Sequence, residues 1–388
     1  MIKKTMIWVL LFLFFITSFS FAAEDRSNPQ EQMAAAPMED FPDIQEPMAE
    51  PTDARAVVLE AEINPERDQE FGAGTYIQEV TLEITSGELK GEVFQVDNIL
   101  MGNPVYDVEV EEGDRILVGI EGSMDNVEGV HIKDYARDTY LYLIIGLFLV
   151  LLVIIGGIKG LKSVITIGLT LVLIVRVLIP GILQGYSPIL LAVFISIVVT
   201  LVTIFIISGF NIKSFSAIIG ILGGVFIAGI ITLWIGSSAQ LTGFSSEEAM
   251  MLLYIPQDVE FNIRGLLFAG IIIGSLGAVM DVGMSIASSL QEVKNANPEI
   301  ARRDLMRAGF NVGRDIMGTM ANTLILAYTG SAIPLLILFT AYEPSITEII
   351  NLDVIATEIV RALAGSIGLI MTVPITVFTG TFLFERYK

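Results

Sequence analysis

Residues 270–285 of the chain read GIIIGSLGAVMDVGMS, an apolar stretch that carries a single carboxylate at Asp281. A second stretch of this kind follows a basic loop and reads NVGRDIMGTMAN over residues 311–322. Ionisable side chains are costly inside membrane-spanning helices, so they face other protein groups or water and by default mark a functional site. The two stretches therefore predict a polytopic membrane protein with a polar track through its helical bundle.

Composition and hydropathy favour the same class. The 388 residues are 53% hydrophobic and 17% charged, and the mean hydropathy is +0.70, which is not typical of a soluble domain. Apolar runs close to the ~20 residues that a bilayer requires predict about seven transmembrane helices. These spans lie at approximately 139–157, 163–181, 187–208, 215–236, 265–285, 313–333 and 360–383.

Charged residues between the spans predict their orientation. Lys and Arg predominate in alternate loops and at the carboxyl end, whereas Asp and Glu predominate in the other loops. Because basic loops stay in the cytoplasm, we expect a multi-pass protein of the bacterial cell membrane with an extracytoplasmic N-terminal domain and a cytoplasmic C-terminus. The apolar run Ser331–Ala341, broken by Pro334, has three interpretations: an extension of the sixth span, a re-entrant segment, or an eighth span that would place the C-terminus outside.

The chain before the first span divides into three segments. Lys3 and Lys4 precede an apolar run, which predicts a signal peptide over residues 1–22, with an uncleaved anchor helix as the alternative. Residues 23–56 are acidic and rich in proline, which is typical of a disordered tether. Over residues 57–135 apolar and polar residues alternate, which predicts an antiparallel β domain of five or six strands, either open or closed as a barrel. The transmembrane helical bundle then occupies residues 139–388.

The acidity of the chain is concentrated before the first span. Residues 24–138 hold 29 acidic side chains against 7 basic ones. Such a surface repels nucleic acid and attracts a cation or a cationic protein partner, although solubility alone also explains it. The chain has no cysteine and one histidine, His131, which we interpret as a strand residue, so we expect no disulfide and no metal site.

Sequence motifs of soluble chemistry are absent from the chain. There is no phosphate loop, dinucleotide fingerprint or ordered catalytic triad. We therefore expect neither an enzyme nor a bound cofactor. The partners that the sequence predicts are the lipid bilayer and an unknown substrate or ion.

The fifth span carries its polar residues on one helical face. Gly270, Gly274, Gly277, Asp281 and Ser285 recur at intervals of three or four residues. Glycines at this spacing allow another helix to approach closely, so we expect Asp281 to point into the bundle. The alternative is that Asp281 extends towards the cytoplasmic interface.

The sixth span repeats this pattern. Asn311, Asp315, Thr319 and Asn322 share one face, and Arg314 lies beside them. A basic partner between two acids lowers the cost of burying all three charges. The alternative is that Arg314 and Asp315 flank a span that begins at the next residue. On the last span, the spacing of Glu358 and Arg361 predicts an ion pair at the outer rim.

These residues carry a resemblance to a known family. The segments Asp134–Arg137, Gly277–Val282, Gly313–Met320 and Asn322–Tyr328, closed by Pro374–Thr376, resemble the YibE/YibF-like bacterial membrane proteins. The resemblance implies a multi-pass membrane protein and little about its chemistry.

The order of the late spans is also similar to half of a resistance-nodulation-division transporter and to the SecF subunit of the protein-export machinery. That likeness implies proton-responsive carboxylates in comparable helices. In this chain the large external segment precedes two extra spans, and the charges of the sixth span lie nearer its cytoplasmic end, which departs from the pattern of those proteins.

Two functional hypotheses follow. The first is a proton- or ion-coupled transporter or exporter in which Asp281 and Asp315 are the coupling carboxylates and Arg314 is their charge partner. In this hypothesis the path is lined by Asn311, Thr319, Asn322 and Ser285. The second is a non-transporting scaffold or export accessory that acts through its acidic ectodomain.

Overall fold

A computed structural model of the protein describes residues 52–63, 75–103, 105–123, 126–255, 261–342 and 345–386. The predicted signal peptide and nearly all of the predicted tether lie outside these residues. The described residues divide into two compact units, one that ends at Val150 and one that begins at Leu151. Each unit has its own hydrophobic core.

The first unit is a five-stranded antiparallel sheet, as the alternating pattern predicted. The strands lie in the order β3-β2-β1-β4-β5, and the two edge strands approach each other, which makes the sheet a near-barrel. Inward-facing residues such as Val80, Leu82 and Ile116 are fully buried. The strands are β1 (Thr52–Ile63), β2 (Tyr76–Ile84), β3 (Val93–Leu100), β4 (Arg115–Ser123) and β5 (Asn126–Tyr135).

Strand β1 begins at Thr52, within the segment predicted to be a tether. Ala54 and Ala56 face the core, while Thr52, Asp53 and Arg55 are exposed. Buried and exposed residues therefore alternate in this segment, as in a strand. The buried residues are alanines, which are only weakly hydrophobic, so the sequence of the segment resembles the acidic, proline-rich residues before it. His131 lies in β5 opposite Gly119 and contacts Glu121 at 3.5 Å.

The end of β5 is fixed by a small network around Tyr135. Its hydroxyl donates to the carbonyl of Glu109, and the guanidinium of Arg137 lies 5.4 Å from the centre of its ring. Arg137 also donates to Asp134 at 2.6 Å, and this hydrogen bond lowers the pKa of the Asp134 carboxyl below 3.8. Burial raises the pKa of Tyr135 above 10.0. The network holds the strand to the β3–β4 connection just before the first long helix begins.

The second unit is helical. Long helices lie at the predicted spans, and several of them extend beyond the apolar runs because polar residues at their ends continue the helix. The helices are α1 (Asp138–Leu173), continued by a π-helical segment (Ile174–Leu178), α2 (Ile179–Leu183), α3 (Pro188–Ser208), α4 (Ile212–Ser238), α5 (Glu247–Met251), α6 (Ile263–Ala296), α7 (Arg302–Ser331), α8 (Ile333–Tyr342), α9 (Ile346–Asn351) and α10 (Asp353–Arg386).

Helix α1 is interrupted at Gly157, whose φ of 56° and ψ of −135° are not helical. Beyond the interruption the chain folds back, because a Cβ placed on Gly160 would lie 2.9 Å from the carbonyl carbon of Leu152 and 3.3 Å from the Cα of Val153. Residues eight apart in a straight helix would be about 12 Å apart along the axis. The position of the break agrees with the predicted gap between the first two spans.

Helices α7 and α8 form a bent pair, broken at Ala332 with an angle of 61° between them. In the described part of the chain, five helical segments are long and apolar enough to cross a membrane, and the bent pair makes a sixth. The segment Asp138–Leu183 counts as one of them although it contains the break at Gly157. The chain is therefore a helical membrane protein with an N-terminal antiparallel sheet.

Candidate functional site

Helix α6 lies at the centre of the helical unit and packs against α3, α4, α7 and α10. Its buried face is apolar and includes Ile271, Val279, Val282, Ile286 and Leu290, each no more than 1% exposed. This face has the helical period of a packed span. The predicted polar face lies on the opposite side of the same helix.

That polar face is at the surface of the chain. Gly270, Gly274, Gly277, Asp281 and Ser285 are all exposed, so the expectation that Asp281 points into the bundle was wrong for the single chain. The spacing correctly placed the five residues on one face. It could not show which face the neighbouring helices cover, because the apolar residues on the other side fill the core.

Helix α7 presents its polar face in the same way. Asn311, Arg314, Asp315, Thr319 and Asn322 are exposed, and the Thr319 hydroxyl donates to the backbone carbonyl of Ile316 at 2.9 Å. The opposite face is the packed one. There, a Cβ on Gly309 would lie 2.8 Å from Leu290 of α6, and Gly313 abuts Val373 of α10.

Helices α6 and α7 run antiparallel and bring the two polar faces to similar depths. A Cβ on Gly274 would lie 3.1 Å from the Tyr328 hydroxyl, and one on Gly313 would lie 3.6 Å from Ile286. Asp315 is two residues from Gly313, and Asp281 is five residues from Ile286 in the same direction along the bundle, so by this contact the two carboxylates differ in depth by about three residues, or about one helical turn.

The charges on these faces are not paired with one another. Within the described ranges, the side chains of Asp281, Arg314 and Asp315 make no hydrogen bond or ion pair. The predicted charge partnership of Arg314 is therefore absent from the isolated chain. The arrangement leaves two carboxylates and a guanidinium uncovered on adjacent helices.

An ion pair is present at the start of α10. Arg361 Nη1 lies 2.6 Å from Glu358 Oε1, and both side chains are partly buried, at 30% and 22% exposure. The guanidinium also lies 5.9 Å from the centre of the Tyr328 ring on α7. The pair thus links α10 to α7 near the end of the unit opposite to the basic loops.

A very close helix contact, which was not predicted from the sequence, joins α4 to α10. Gly220 and Gly224 of α4 meet Thr376 and Thr372 of α10, with no room for a Cβ on either glycine. The spacing of Gly220, Gly224 and Ala228, one small residue every four positions, is the sequence pattern that could have predicted this close contact. The Thr372 hydroxyl donates to the carbonyl of Gly368 at 2.9 Å. Among the described residues, the buried hydroxyl of Thr376 has no partner.

The basic ends of the helices gather at one end of the unit. Lys162 Nζ lies 3.3 Å from the carbonyl of Ile207, at the end of α3, and Arg302 contacts Glu385 at 3.4 Å. At the opposite end, the Thr242 hydroxyl donates to Asp353 at 2.7 Å. The helical unit therefore has a basic end and an opposite end that carries Asp353.

Comparison with known proteins places this helical membrane protein with an N-terminal sheet in a family. The family described as YibE/F-like protein matches residues 144–386, and the YibE/F family N-terminal domain matches residues 53–135. The chain belongs to the YibE/F-like family.

Neither a curated protein nor a solved structure matches the chain. The likeness to resistance-nodulation-division transporters and to SecF therefore stays a prediction. Across the described residues, no group of three or more His, Cys, Asp or Glu side chains is arranged to hold a metal ion.

Proposed function

We propose that the chain is a proton- or ion-coupled membrane transporter or exporter whose coupling groups are Asp281 and Asp315. The observation that carries the proposal is the position of two uncovered carboxylates at similar depths on adjacent antiparallel helices. Asp281 lies 11 residues before Glu292, or about 16 Å along the helix, and Asp315 lies 8 residues after Arg307, or about 12 Å. Asp281 thus lies well inside a helix of membrane-spanning length, and Asp315 lies in the first half of the bent pair of α7 and α8, which reaches that length and hydropathy only as a pair.

A topology of seven spans accompanies this proposal. The reversal at Gly157 divides Asp138–Leu183 into two arms of about 30 and 39 Å, each long enough for a bilayer core of about 30 Å. With the bent pair counted as one span, the total is seven. Basic loops on one side then place that side in the cytoplasm of the bacterial cell and the β unit outside it.

The transport proposal is tested with purified full-length protein in proteoliposomes that enclose a pH-sensitive dye. We expect a pH gradient to drive a proton flux in the wild type that Asp281→Asn and Asp315→Asn each reduce at least tenfold. The matched control is Asp304→Asn, which removes a carboxylate paired with Arg307 outside the apolar stretch and should leave the flux unchanged. A wild-type flux that both intramembrane variants retain would contradict the proposal.

A second function is supported by the β unit, which has its own core and corresponds to a family domain of its own. In this alternative the chain is a scaffold or export accessory that works through its acidic ectodomain. Deletion of residues 57–133 would then abolish function in cells, while Asp281→Asn would only lower stability. Loss of function with Asp281→Asn in a stably folded protein would favour transport.

A further inference from the structure

The surface formed by α6 and α7 combines features that do not suit contact with lipid. We define this surface, the α6/α7 face, by its exposed residues. They are Gly270, Gly274, Gly277, Asp281 and Ser285 of α6 and Asn311, Arg314, Asp315, Gly318, Thr319 and Asn322 of α7.

Three of the four glycines on the α6/α7 face lack the packing role that other glycines of the same helices have, and the fourth, Gly274, lies next to the Tyr328 hydroxyl of α7. A Cβ on Gly283 or Gly309 would lie within 2.8 Å of a neighbouring helix, whereas Gly270, Gly277 and Gly318 have nothing within 4 Å. Glycine inside a helix lowers its stability relative to alanine. Exposed glycines in a row are therefore explained by a close approach of another helix that the single chain does not supply.

The charges on the face also require a cover. Asp281, Arg314 and Asp315 lie about two to three helical turns from the polar ends of their helices. Charged side chains at such depth face protein or water rather than lipid. Within the described residues no other part of the chain reaches these three side chains with a hydrogen bond or ion pair.

The charges also indicate what covers the face. It carries both signs: Gly313, the residue before Arg314, lies at the depth of Ile286, so Arg314 and Asp281 differ in depth by about four residues, or about 6 Å. In a twofold arrangement each copy contributes the same patch, so the arginine of one copy meets the acids of the other. An acidic or a basic foreign partner would neutralise only one of the two signs.

We propose that the α6/α7 face is the interface at which a second copy of this chain packs, with Arg314 of each copy paired across the twofold axis with Asp281 or Asp315 of the other. Both copies insert into the membrane in the same direction, so residues of equal depth meet. The glycines bring the helices close, and the charges lie between the copies rather than against lipid. Dimerisation does not require that the protein transport anything.

The absence of cysteine from the chain makes the interface directly measurable. Gly277→Cys and Gly318→Cys introduce single thiols on the face, and Phe226→Cys introduces one on α4, where Phe226 is 66% exposed. After copper-catalysed oxidation of native membranes, we expect several-fold more disulfide-linked dimer from the first two variants than from the third. Maleimide labelling checks that all three thiols react.

Three results would overturn the proposal. The first is no dimer from Gly277→Cys and Gly318→Cys although both thiols are labelled. The second is equal dimer from Phe226→Cys, which would indicate random collision. The third is a cross-linked species whose mass is not twice that of the chain, which would identify a different protein as the cover.

A charge exchange tests the pairing itself. Asp281→Arg places two arginines opposite each other, and we expect native mass spectrometry to show at least a tenfold loss of dimer. Adding Arg314→Asp to the same chain restores opposite charges across the interface and should restore the dimer. A double variant that stays monomeric while its helical content is intact would contradict the pairing.

Discussion

At the scale of single residues, Gly224 shows how closely two helices approach when a side chain is missing. A Cβ at this position would lie 2.7 Å from the Gly368 carbonyl oxygen and even closer to the Thr372 hydroxyl. Neither neighbour can move freely, because one is backbone and the other is held by its hydrogen bond to Gly368. The contact between α4 and α10 therefore requires a residue without a Cβ at this position.

We expect Gly224→Ala to destabilise the protein by about 1–3 kcal/mol, the usual cost of overpacking a close-packed core. The measurement is unfolding of the purified protein in increasing SDS, followed by circular dichroism. Gly168→Ala is the matched control, because Gly168 is a helical glycine with nothing within 4 Å of a Cβ. It should be neutral or slightly stabilising. Equal losses for both variants would show that the contact does not matter.

Asp281 shows the limit of residue patterns. Its spacing from the glycines correctly predicted a shared face, and the exposed position of that face was not predictable. The helical period identifies two opposite faces of the helix. Which of the two is buried depends on how well each face fits the neighbouring helices. On α6 the apolar face with Val279 and Val282 fills the core.

At the scale of elements, helix boundaries were predictable where turn residues accompany the end of an apolar run. Asn211 caps α4 by accepting from the backbone N–H of Ser214, and Pro188 begins α3. The bend at Ala332 was not predictable from Pro334 alone, since a proline in the first turn of a helix is also compatible with a continuous span. The alternating pattern predicted five or six antiparallel strands, and the sheet has five; the first helical break lies at the end of the first predicted span.

Gly157 is the residue that permits the reversal within α1, and its neighbour provides a control. Its φ of 56° lies in the left-handed region that a β-branched side chain avoids. We expect Gly157→Val to destabilise the helical unit by about 1–3 kcal/mol. Gly156→Val has equal bulk without a positive φ, and a Cβ there has nothing within 4 Å, so it should cost less than half as much. SDS unfolding of the two variants gives the comparison, and identical curves would argue against the reversal.

At the scale of the whole molecule, the two ends of the helical unit differ in charge, and this difference predicts which end faces the cytoplasm. Lys159 of α1, just after the break at Gly157, and Lys213 in the first turn of α4 lie at the basic end, where Lys162 contacts Ile207. Glu247 follows α4 at the opposite end. If Asp138–Leu183 crosses the bilayer twice, Lys159 and Lys213 share a side, and Glu247 and the β unit share the other.

The cysteine-free chain allows each position to be tested separately. We expect a membrane-impermeant maleimide to label Glu247→Cys and Glu88→Cys in intact cells stripped of their outer layers, and to label Lys159→Cys and Lys213→Cys only after the membrane is opened. The reason is that basic loops are retained in the cytoplasm during insertion. Labelling of Lys159→Cys from outside would mean that α1 does not reverse within the membrane. The same experiment decides the side on which the acidic sheet, and any partner that it binds, is located.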